Sequence, residues 1–250
     1  MTNISIMIKT NILRKTILIT LIVLLSNTMF CMAQTSSAAN ASNDIKTIKK
    51  GKYSLIFECK APSFDQKISQ NLIDTYFKVY PKLVKKFNKK STRIVTFVID
   101  PDYNGVAATS NARVVFSSKY MLAHPTDIDI VTHETMHIVQ GYGNRSGMPG
   151  WLTEGIADYI RYAFGVDNIG GGWSLPKFSE KQSYKNSYRI TARFLAWLEY
   201  SGHKGIVKKL DQAGRDKAYD NGAIWEKLAG KNIDDLWKDY SQNSSIPNVN

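Results

Sequence analysis

Cysteine is almost missing from this sequence: Cys31 and Cys59 are the only two in 250 residues. That excludes a disulfide-stapled scaffold and a four-cysteine zinc finger. Histidine is also scarce, with four positions, His124, His133, His137 and His203. Acidic residues are outnumbered by basic ones, 21 to 33, for a formal charge of +12. An excess of that sign favours anionic partners or surfaces and says nothing about fold. No apolar run approaches the roughly 20 residues that a bilayer span needs, and there is no internal repeat. What remains, 43% apolar against 22% charged, suffices for a full core, so disordered and low-complexity classes are excluded.

The N-terminal stretch has its own character. Lys9, Arg14 and Lys15, with no acid among them, precede an apolar run at residues 17–25, and small and polar residues such as Ser26 and Ala33 follow. A basic start, a short apolar core and a small-residue exit describe a secretory signal peptide, residues 1–33, cut after Ala33. A lipid anchor on Cys31 is the alternative, though Phe30 sits where such sites take a small residue. The protein is therefore expected to be exported, to a periplasm, a surface or outside the cell. Residues 34–48 read as a flexible leader, small and polar at QTSSAANASND. One compact domain is expected over 49–241, then a polar tail, 242–250.

Within the domain, residues 53–59 alternate and predict a strand that places Cys59 on an apolar face, as a small buried hydrophobe. Residues 64–87 carry apolar positions at helical spacing, with Pro81 implying a kink or break. RIVTFVID, 93–100, predicts a central strand buried on both faces. Residues 106–121 predict a hairpin or edge strand around Ser110-Asn111.

Residues 126–140 predict a helix capped by Thr126, with Asp127 and Asp129 at the positive end of its dipole. It contains His133-Glu134-Thr135-Met136-His137, an H-E-x-x-H motif. Residues four apart on a helix share a face, so both imidazoles can reach one ion, and Glu134 lies beside them, placed to hold a metal-bound water. Two histidines on an exposed helix face are the bland alternative. Against it, two of the four histidines and two of the six glutamates fall within residues 133–154. A second helix begins near Trp151 and carries Glu154 and Asp158 on one face. A catalytic zinc takes three protein ligands and leaves one position open. Glu154 supplies the third, and Asp158 accepts the spare N–H of His133 and fixes its tautomer.

H-E-x-x-H followed by E-x-x-x-D on a second helix resembles the gluzincin metallopeptidases, the group of thermolysin and the zinc aminopeptidases. More closely, GVAATSNARVVFSS, HETMHIVQ, WLTEGIADYIR, TARFLAWLE and LAGKNIDDLWKDY resemble the basic secretory protein family of plants and bacteria, over residues 52–240. The resemblance implies Zn2+ held by His133, His137 and Glu154, Glu134 as general base, and Asp158 behind the ligands. It implies an α+β, zincin-like fold: a small mixed N-terminal sheet, the active-site helix and a mostly helical C-terminal half. A zincin edge strand pairs with the substrate backbone, and residues 112–117 are the expected edge, which favours a polypeptide substrate over a small molecule and leaves open whether glycoproteins are among the targets.

The function expected is a secreted zinc metallopeptidase; the alternative is a secreted, non-catalytic zincin-fold protein binding glycans or other polyanions through its basic surface. Tyr184, Tyr188, Arg193 and His203 are candidates for steadying an oxyanion, and the residues alone do not choose among them. His124 has no assigned role. Gly170-Gly171-Gly172 lacks the context of a phosphate loop and reads as a connection or cleft rim, and the lysine runs read as solvated faces rather than a nucleic-acid site.

Overall fold

The structure is a computed structural model in which residues 44–143, 146–220 and 222–247 are described. The expected signal peptide and residues 34–43 of the expected leader lie outside them. The fold is α+β, with a mixed five-stranded sheet on the N-terminal side and a helical C-terminal half.

The strands are β1 (Asp44–Lys50), β2 (Tyr53–Cys59), β3 (Ile94–Asp100), β4 (Ala107–Ser110) and β5 (Arg113–Ser117), in the spatial order β1-β2-β3-β5-β4. β2, β3 and β5 run parallel, and an antiparallel strand closes each side. β1 corrects the leader boundary: residues 44–48 belong to the domain. Its burial is slight, and Lys46, Lys49 and Lys50 stud it, charges that protect an outer strand from pairing with another chain. That polarity is why it reads as leader.

Between β2 and β3, α1 (Gln66–Lys86) begins where the Asp65 carboxylate accepts from Lys67 N at 2.6 Å. It runs on through Pro81, so of the kink or break expected there the break does not occur. Tyr76, Val79, Tyr80, Leu83 and Val84, on both sides of the proline, are buried in the same core, so packing outweighs one missing N–H. β3 is central as expected: Val95, Phe97 and Ile99 enter the main core and Val98 on the opposite face is fully buried, while Ile94 at the start of that face is 56% exposed. The helices cover one face of the sheet; the other carries the Glu58–Arg113 ion pair, 3.2 Å.

After β5 come α2 (Ser118–Ala123), α3 (Ile130–Gln140) and α4 (Gly150–Phe164). Then follow a 3-10 turn (Tyr184–Asn186), α5 (Tyr188–Tyr200), α6 (Ile206–Arg215), α7 (Ile224–Ala229) and α8 (Ile233–Gln242). α3 packs on α1 on one side and α4 on the other, and α4 packs closely on α5. The α4–α5 approach requires Gly155: a Cβ there would fall 2.2 Å from Thr191 Cγ2. Phe194, Trp225, Trp237 and Tyr240 fill the C-terminal half with edge-on and tilted aromatic contacts. The expected tail, 242–250, is in part structural: Ile246 is buried in the core and the Ser244 carbonyl accepts from Arg193. Among the described residues no helix is long and apolar enough to cross a membrane.

Candidate metal centre

α3 starts at Ile130, later than the sequence pattern predicts, with Asp129 rather than Thr126 at its N-cap, and the side chains of Asp127 and Asp129 also bind other segments. The Asp129 carboxylate accepts from Thr132 Oγ1 at 2.9 Å and from the N–H groups of Val166 and Asp167 at 2.7 and 2.6 Å. Asp127 is buried against Arg161 and Tyr120. The helix ends at Gly141, whose left-handed backbone (φ +50°) turns the chain toward α4. α3 is buried almost all round, and His133 and Glu134 lie inside the molecule, which excludes the alternative of two histidines on an exposed helix face.

Three ligand-type atoms converge between α3 and α4. His133 Nε2 lies 3.1 Å from His137 Nε2 and 3.1 Å from Glu154 Oε2, and His137 Nε2 lies 3.4 Å from Glu154 Oε2. The other ring nitrogens are engaged. Gln140 donates through Nε2 to the Thr153 carbonyl (2.9 Å), so its Oε1 accepts from His137 Nδ1–H at 2.7 Å. Asp158, an acceptor, lies 2.6 Å from His133 Nδ1. With both Nδ1 atoms donating, both Nε2 lone pairs face each other and a carboxylate, a set of acceptors that needs a cation. A tetrahedral ion with bonds of about 2.0–2.1 Å sets its ligand atoms roughly 3.3–3.4 Å apart, close to the spacings found. His133, His137 and Glu154 are thus placed to hold one metal ion.

A proton at Nε2 can meet the same need for a cation, and the electrostatics show how strongly the site holds one. Burial disfavours charge on His133, but Asp158, Glu154 and Glu134 outweigh it and raise its pKa to about 10. Burial would raise Glu154, yet hydrogen bonds to His133 and His137 hold it far below the carboxylate range.

Glu134 is buried beside this cluster. Its Oε2 accepts from Thr109 Oγ1 at 2.7 Å. Thr109 lies on β4, and β4 is the outer strand. The expected edge, residues 112–117, is corrected: β5 is clamped between β3 and β4, and the hairpin folds β4 to the outside. In an antiparallel pair, alternate residues bond to the partner and the others turn their backbone groups away. Ser117 N–H donates to the Val106 carbonyl, so Ala108 and Ser110 bond inward and Ala107 and Thr109 face the open side. That side opens onto a cleft of about 1090 Å³ that contains the metal cluster.

The model of a family described as peptidases of plants and bacteria, the basic secretory proteins, matches residues 32–240. The chain belongs to that family. It is a peptidase family, so polypeptides are the substrate class. No curated protein matches the chain.

Of the four residues considered for an oxyanion in this basic secretory protein, only Tyr188 lines the cleft. Its ring stacks near the His133 ring, centroids 6.1 Å apart. It occupies a left-handed backbone conformation (φ 46°) next to Ser187 (φ 67°), a strained pair of the kind that functional sites retain. The Tyr184 hydroxyl donates to Asp234, and Arg193 and His203 lie away from the cleft. Thr109 and Gln140 escaped sequence reasoning. Gln140 had a usable signal, three residues after His137 on one face; Thr109, 25 residues before Glu134, had none. Gly171 and Gly172 form cleft wall, which decides for rim over connection. Cys59 is half-buried, its thiol pKa pushed up by burial.

Proposed function

We propose that this protein is an exported, zinc-dependent metallopeptidase, with His133, His137 and Glu154 as ligands, Glu134 as general base and Asp158 fixing the His133 tautomer. The observation that carries the reading is the convergence of two imidazole lone pairs and a carboxylate at tetrahedral spacing. Two nitrogens and one oxygen suit zinc, and three ligands leave a position for water, as catalytic sites do. A bound zinc supplies Lewis-acid chemistry, acidifying water and polarising a carbonyl.

The protein's own groups do the rest. The Glu134 carboxylate takes the proton of the attacking water and returns it to the departing amine. Thr109 holds one oxygen of that carboxylate, so the other is turned toward the reaction. The Tyr188 phenol donates to the developing oxyanion. Glu154, then burial, then Asp158 and Glu134 raise its pKa, which keeps the phenol protonated at neutral pH. The substrate backbone adds to the open side of β4. There the Ala107 carbonyl accepts from Tyr103 at 3.3 Å, which leaves Thr109 to offer both a donor and an acceptor. Export rests on the basic and apolar pattern of residues 1–33.

Elemental analysis of residues 34–250 tests the reading. About one zinc per chain is expected, with much weaker retention in Glu154→Ala. Glu134→Gln should keep the zinc and lose hydrolysis of an unfolded protein. Failure to take up zinc, or a Glu134→Gln variant that cleaves as well as wild type, overturns it.

A further inference from the structure

Part of the cleft wall is a pocket-lining group joined by contacts, Tyr120, Asp127, Arg161 and Trp173, with Gly172 and Arg189 lining the same cleft. Arg161 is 5% exposed, and its guanidinium lies 4.6 Å from the centroid of the Trp173 ring. Its Nε donates to Asn168 Oδ1 at 3.2 Å and its Nη2 to Asp127. Nη1 has no acceptor among the described residues, while the side chain borders the cleft. A guanidinium is a fixed fork of five N–H donors, so Nη1 keeps its donors for an acceptor that enters from the cleft.

The charge balance says which acceptor. Asp127 neutralises Arg161, and its second oxygen accepts from the Tyr120 hydroxyl at 2.7 Å. Arg189, exposed on α5, is the additional cation of this pocket. Both guanidinium groups reach Tyr120 electrostatically: burial and Asp127 push its phenol up to about 12, and the two arginines oppose them. His124 at the rim stacks on Tyr120. The acids Glu134, Glu154 and Asp158 face the metal cluster instead.

We infer that this pocket is a carboxylate-recognition subsite, in which Arg161 and Arg189 take the carboxylate of the substrate polypeptide. Arg161 follows Glu154 by seven residues, a rise of about 10 Å along α4. In an extended peptide this is roughly three residues at about 3.3 Å each, so the carboxylate sits two or three positions from the bond cut. An acidic side chain and a free C-terminus share this chemistry. The inference rests on the peptidase reading and narrows its substrate class.

The test is calorimetric titration of Glu134→Gln, in chelator so that no ion captures the carboxylate. Three probes are used: a capped, amidated tetrapeptide with Glu at its third position, the same peptide with Gln, and the Gln peptide with a free C-terminus. One acidic probe should bind at least about ten-fold more tightly than the neutral one, the worth of a charge-assisted hydrogen bond. Which one does so tells side chain from terminus. Arg189→Gln, at an exposed position, should shrink that preference. The paired change Arg161→Leu with Asp127→Leu, which strands no buried charge, should abolish it. Equal binding of all three probes, or a preference that survives both variants, overturns the inference. Cleavage of an unfolded protein by the wild type without any acidic preference sinks the pocket and leaves the peptidase standing. A preference in binding with no cleavage does the reverse.

Discussion

The Thr109 hydroxyl lies 2.7 Å from Glu134 Oε2, joining the open edge of the sheet to a buried carboxylate on α3. In the proposed mechanism the backbone edge that pairs with a substrate strand and the hydroxyl that steadies Glu134 therefore belong to one residue. That mechanism couples docking of a peptide on β4 to the orientation of Glu134 through Thr109.

Thr109→Val removes the hydroxyl and keeps the shape and the backbone edge. Its kcat is expected to fall about 10- to 100-fold, the worth of a hydrogen bond to a charged group, with KM little changed because the main-chain contacts remain. Thr109→Ser should restore most of the rate. Steady-state kinetics on one peptide substrate checks this, and a loss confined to KM would show that Thr109 acts in binding alone.

Tyr188 is 54% exposed, so its hydroxyl contributes little to folding. Tyr188→Phe is expected to leave the melting temperature within a degree or so, since exposed substitutions cost under about 0.5 kcal/mol. The same change should lower kcat by roughly 100- to 1,000-fold, as loss of an oxyanion donor does. Unchanged kcat in a folded variant would remove Tyr188 from the mechanism.

The cluster itself is the part most legible from residue order, for a physical reason. His133 and His137, like Glu154 and Asp158, are pairs one helical turn apart, so local periodicity alone brings each pair to a common face. What escaped depends on partners far along the chain. Asp127 resembles a helix-dipole residue until Arg161, 34 residues on, is seen to pair with it. Which hairpin strand becomes the open edge depends on β5 pairing with β3, and no short pattern encodes that choice. Residues 44–48 look like leader because the polarity that suits an outer strand also suits a solvated segment. Ile246, one of two apolar residues in a polar tail, gives no period from which burial follows.

His133 makes the stability of the chelator-stripped protein depend on pH. Burial opposes its charge, but Asp158 and Glu154 prevail and its folded pKa stands near 10, against about 6.5 unfolded. Between these values the folded state binds more protons than the unfolded one, so stability falls as pH rises. The contribution is complete below about pH 6.5 and gone above about pH 10. Zinc requires the Nε2 lone pair and so must displace the proton, which makes apparent zinc affinity rise across the same window. Denaturant midpoints at several pH values, in chelator and in zinc, for wild type and Asp158→Asn, measure both effects. The stripped wild type should lose more stability toward pH 10 than Asp158→Asn, whose His133 lacks the charge that holds its proton. The gap between the zinc-loaded and stripped wild type should widen with pH. Parallel profiles for the two stripped proteins would mean that Asp158 does not hold the proton of His133.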